Sequence, residues 1–97
     1  MKREERIARY ERALDELTAA EDALEAALAG FAAAEPLRRA LEAYYTGPAW
    51  RRDLAADEAG RLPPGLKRGV LSQDAVWDAL ERAARLERLI HHKEEGI

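Results

Sequence analysis

The chain has 97 residues, a net charge of −3, and 47% apolar and 36% charged residues, a composition that predicts one soluble, surface-charged domain. It contains no cysteine, which excludes disulfides, thiolate catalysis and cysteine-ligated metals. The acidic balance argues against nonspecific nucleic-acid binding, and the lack of a long apolar run or of an apolar N-terminal signal core predicts a cytoplasmic protein without membrane contact.

The first predicted helix spans residues 3–33. Strong helix formers dominate it, and its apolar positions recur at steps of three and four, close to a heptad repeat. These positions are Ile7, Tyr10, Leu14, Leu17, Leu24, Leu28 and Phe31. About 28 helical residues at 1.5 Å each form a rod of about 42 Å, which is too long for a compact globule of this size. The pattern therefore predicts an elongated bundle or a homodimer through the first helix.

Two further helices follow, over residues 35–59 and 72–92. Pro36 suits a first helical turn, and Gly47-Pro48 breaks the middle helix at 47–48. Gly60 suits the C-terminal cap of the middle helix, and Ser72 suits the N-cap of the last one. The predicted fold is an all-α single domain over residues 1–97. It is an elongated three-helix bundle with a broken middle helix and a long ordered loop before the last helix.

The loop, residues 60–71, offers the first candidate site. Lys67 and Arg68 stand between glycines near a helix N-terminus, an arrangement that suits a phosphate or a carboxylate. The alternative is local ion pairing with nearby acidic residues: Asp53, Asp57, Glu58 and Asp74. The loop is expected to pack over an aromatic end of the bundle through Leu62, Leu66 and Val70.

The aromatic residues before and after the loop allow two interpretations. Tyr44, Tyr45, Trp50 and Trp77 either line a ligand groove or form the core, and their spacing on apolar faces favours the core. If a ligand binds at the loop and this aromatic groove, the candidate binding residues are Lys67, Arg68, Asp57, Glu58, Trp50 and Trp77.

A metal or acid–base site has few candidates. Glu21 and Glu87 each fall near the centre of an apolar stripe, and His91 lies one turn beyond Glu87. The alternative is that both glutamates reach solvent, pair with Arg or Tyr, or set a dimer register. No di-iron motif is present, so no cofactor or metal is expected. A carboxylate enzyme that uses these residues, or else Asp53, Asp57 and Glu58, is the weakest hypothesis.

Residues 44–80 carry a resemblance. The residues concerned are Tyr44-Tyr45, Trp50, Asp53, the segment 56–63, the segment 66–72, Asp74 and Trp77. They resemble the small bacterial family known as domain of unknown function 4298. The resemblance implies a small, helical, intracellular protein and supplies no activity, substrate or catalytic residue.

These observations favour a non-catalytic module for protein interaction or homodimerisation, whose contact surface is the first helix. The partner is either an unidentified protein or a second copy. A binding module for an anionic ligand, with Lys67 and Arg68 as anchors, is the alternative.

Overall fold

The structure is a computed structural model that describes the backbone of residues 2–95 and the side chains of residues 2–91. Its α-helices are α1 (Arg3–Ala33), α2 (Glu35–Thr46), α3 (Pro48–Glu58) and α4 (Gln73–Glu95), and a 3₁₀ turn at Gly69–Leu71 precedes α4. Residues 2–95 contain no strand, and the predicted all-α fold class is confirmed. The last helix continues beyond its predicted end at residue 92.

The chain divides into two compact units, Met1–Glu35 and Pro36–Ile97. The prediction of a single domain stays a prediction. In the first unit, the 31 residues of α1 form a rod of about 46 Å. No residue of α1 is buried, and only Phe31 is half-buried.

In the second unit, Gly47 separates α2 from α3. Gly47 is extended, and Pro48 opens α3 at a position where the missing N–H needs no partner. A Cβ atom at Gly47 would lie 2.9 Å from the carbonyl oxygen of Ala43, so the close approach of the two backbone segments requires glycine. The predicted break in the middle helix is confirmed.

The end of α3 is capped as the sequence predicts. Gly60 adopts the left-handed conformation, with φ at 71°. The Gly60 N–H donates to the Asp57 carbonyl at 3.0 Å, and the Arg61 N–H donates to the Ala56 carbonyl at 2.9 Å. These two bonds make a Schellman motif, which satisfies carbonyl groups at the helix end and turns the chain into the loop.

The loop is ordered by backbone bonds of its own. The Leu66 N–H donates to the Pro63 carbonyl at 3.1 Å, which closes a tight turn, and the Ser72 N–H donates to Gly69 at 3.0 Å within the 3₁₀ turn. Ser72 then caps α4, because its hydroxyl accepts from the Ala75 N–H at 3.3 Å. Both the long ordered loop and the N-cap follow the predictions.

The core of the second unit lies where the 3₁₀ turn packs against both α3 and α4. Its buried side chains are Trp50, Leu71 and Val76. Two expectations were wrong. The side chains of Leu66 and Val70 are exposed, so they do not attach the loop to the core, and Trp77 is 54% exposed. On a helical wheel Trp77 lies about 80° from the centre of the buried face of α4, at its edge.

Candidate functional site

Of the predicted ligand-binding residues in and beside the loop, two form an ion pair with each other and two are exposed. The Arg68 guanidinium donates to the Asp57 carboxylate at 2.7 Å, and both side chains are about two-thirds buried. Lys67 and Glu58 are exposed. The local ion pairing that the sequence left open is thus present for Arg68, where it connects the end of α3 to the residue before the 3₁₀ turn.

Trp50 attaches the loop to the helices. Its indole N–H donates to the carbonyl of Val70 at 2.9 Å, and its ring meets Tyr45 edge to face with centroids 5.1 Å apart. Only 7% of Trp50 is exposed. The core interpretation therefore fits Trp50, which leaves little of its ring for a ligand.

Tyr44 connects α2 to α3 across the break at Gly47. Its hydroxyl donates to the Asp53 carboxylate at 2.6 Å. That hydrogen bond raises the pKa of Tyr44, and burial and the negative charge of Asp53 act in the same direction. Residue spacing does not indicate this contact, because the two residues lie nine apart on different helices.

The metal candidates lie in different units. In α4, the His91 ring nitrogen is 3.2 Å from the Glu87 carboxylate, and the Arg38 guanidinium is 3.6 Å from the same group. Glu21 is exposed on α1. Among residues 2–91 no three acidic or histidine side chains converge as a metal site. Glu87 therefore forms an ion pair with Arg38, and pairing with an arginine is one of the alternatives that the sequence allowed.

A groove lies between α2 and α4. Two of the aromatic residues that the sequence assigned either to a ligand groove or to the core, Tyr45 and Trp77, line it. Its volume is about 280 Å³. It is lined by Arg38, Glu42, Tyr45, Thr46, Trp77, Leu80, Glu81 and Ala84. Trp77 lies at this groove, hereafter the α2–α4 groove, with about half of its surface in water.

Helix α1 carries a second surface. Its a positions are Ile7, Leu14, Glu21 and Leu28, and its d positions are Tyr10, Leu17, Leu24 and Phe31. The large apolar side chains from Ile7 to Leu28 are 40–60% exposed. These eight positions, hereafter the α1 seam, form an unbroken 3–4 repeat in which Glu21 is the one charged member.

Comparison with known proteins gives a family match. A family model described as domain of unknown function (DUF4298) matches residues 7–91. No similar curated protein and no similar solved structure was found. Within the described residues, none of the helices combines the length and apolar character that crossing a membrane requires.

Proposed function

The chain belongs to the family described as domain of unknown function (DUF4298), and we propose that it is a non-catalytic interaction module that self-associates through the α1 seam. The observation that carries this proposal is the exposure of an uninterrupted heptad pattern on a helix with no buried residue. A heptad stripe is self-complementary, because the a and d side chains of one helix fill the spaces between those of another.

The exposed area sets the strength of the association. Six large side chains of the seam are about half exposed, and burying each completely in a dimer contributes about 1 kcal/mol. Twelve such side chains contribute about 12 kcal/mol, and association itself costs at least about 4 kcal/mol. The remainder, about 8 kcal/mol, limits the dissociation constant to about 1 µM or weaker.

The charge within the seam favours an antiparallel pair. In a parallel dimer, Glu21 faces its own copy across the seam, and two carboxylates repel there. In a fully overlapping antiparallel dimer, Glu21 instead faces Leu17 of the second copy. The g positions Ala13, Ala20 and Ala27 then lie against each other, and their small side chains permit close approach of the helices.

Sedimentation over a concentration series tests self-association. The range runs upward from the limit above, from about 1 to about 500 µM. The variant Leu17→Glu places a charge in the seam and should remain monomeric throughout. Its matched control, Ala19→Glu, adds the same charge on the opposite face of α1 and should associate like the parent chain. A parent chain that stays monomeric at the highest concentration refutes the proposal.

Single-cysteine variants test orientation separately, because the chain has no cysteine of its own. Ala20→Cys should form a disulfide between copies only in the antiparallel pair, whereas Ala13→Cys, which then faces residue 27, should not. Glu21→Leu should lower the dissociation constant at least about thirtyfold, because burying the polar group costs about 1–3 kcal/mol in each of the two copies. A dimer without the Ala20→Cys crosslink would reject the orientation and leave self-association standing.

A further inference from the structure

We propose that the α2–α4 groove binds an arginine side chain presented by a partner peptide, independently of the α1 seam. The groove belongs entirely to the second unit of the chain. Three features of its lining carry the proposal: its size, its exposed tryptophan and the sign of its charge.

The size of the groove fits one long side chain. Its volume is about 280 Å³, below the range of roughly 300–1,000 Å³ that is typical for small-molecule sites. Tyr45, Leu80 and Ala84 supply apolar lining that can contact the methylene groups of an arginine. The groove is too small to enclose most free metabolites, whereas its volume is sufficient for a single side chain that is attached to a peptide.

Trp77 provides a surface for a cation. It is 54% exposed, in contrast to Trp50, which is buried and hydrogen-bonded to the loop. The face of an indole ring attracts a cation, and a planar guanidinium also stacks on it. Tryptophan is enriched among the residues that contribute most to binding at protein interfaces, where a partner covers its apolar surface.

The charge of the lining is complementary to arginine. The lining contains one cation, Arg38, which is 3.6 Å from Glu87 outside the groove. Glu42 and Glu81 add two exposed carboxylates to the lining. Glu81 follows Trp77 by four residues, so both lie on the same face of α4, one turn apart. A guanidinium stacked on the indole can therefore donate to a carboxylate beside it.

The test uses a capped Ala-Arg-Ala tripeptide, with the citrulline tripeptide as a neutral control of the same shape. Nuclear magnetic resonance follows the indole N–H signals of Trp77 and Trp50 in the full chain. The arginine peptide should shift the Trp77 signal with a dissociation constant on the order of 1 mM, as for a single side chain, and leave the Trp50 signal in place. Equal shifts with the citrulline peptide would overturn the proposal.

Variants then test the lining. The double variant Glu42→Gln with Glu81→Gln should weaken binding of the arginine peptide at least fivefold. In Trp77→Leu, the backbone shifts that the arginine peptide causes at the groove should disappear, and the Trp50 signal should stay in place as it does in the parent chain. Asp78→Asn removes a neighbouring carboxylate of α4 that does not line the groove, and it should bind like the parent chain. Unchanged affinity in the double glutamine variant, or an equal loss in Asp78→Asn, would reject the assigned site.

Discussion

Replacing Trp50 with phenylalanine tests how the loop is held. The substitution removes the indole N–H that donates to the Val70 carbonyl at 2.9 Å, and it retains an aromatic ring near Tyr45. A partly buried carbonyl that loses its partner costs about 1–3 kcal/mol. The smaller ring also leaves unfilled space in the core, which adds about 1 kcal/mol. We expect Trp50→Phe to lower the free energy of unfolding by about 2–4 kcal/mol.

Trp77→Phe is the matched control, because it makes the same chemical change at a position that is 54% exposed. It should alter stability by no more than about 0.5 kcal/mol. Urea unfolding followed by circular dichroism at 222 nm measures both variants at the lowest workable concentration, where self-association contributes least. If Trp50→Phe is no less stable than Trp77→Phe, the loop is not held by this hydrogen bond and the reasoning fails.

Three further predictions concern the second unit. Gly47→Ala should lower the free energy of unfolding by about 1–3 kcal/mol, because the new Cβ atom would lie 2.9 Å from a backbone carbonyl. In the control Gly65→Ala, the new Cβ atom meets nothing within 4 Å, so this variant should be neutral or stabilising in the same urea assay. A double-mutant cycle of Asp57→Asn and Arg68→Met should give a coupling energy of no more than about 1 kcal/mol, because solvent screens this partly exposed pair; a larger value would contradict that view. The pKa of Tyr44 is raised in the folded state, so the advantage of the parent over Tyr44→Phe should be complete below pH 10 and vanish as pH rises through the folded pKa. Absorbance at 295 nm should show one tyrosine that titrates late, and its absence would refute the hydrogen bond.

Local signals explain why the helices and their ends could be predicted. Gly47, Gly60 and Ser72 act on backbone groups within a few residues of themselves, and residue type alone decides whether those groups are satisfied. Alanine- and leucine-rich composition with few β-branched residues decides the fold class in the same way. Such features need no knowledge of the tertiary arrangement.

Contacts between distant residues could not be predicted. The bond from Trp50 to Val70 spans twenty positions, and the partner is a carbonyl group, which every residue has. The groove depends on how far α2 stands from α4, which no spacing within either helix encodes. Trp77 illustrates the limit, since its place at the edge of an apolar stripe fits a core residue and an exposed one equally well.

The two tryptophans show how one aromatic residue type serves two purposes in this chain. Trp50 stabilises the second unit because its ring is covered and its N–H is satisfied by the loop. Trp77 leaves half of its apolar surface in water beside two carboxylates, an arrangement that adds little to folding and that a partner cation would cover. Because burying apolar surface is favourable, the exposed half of Trp77 is the surface that the proposed arginine partner would cover.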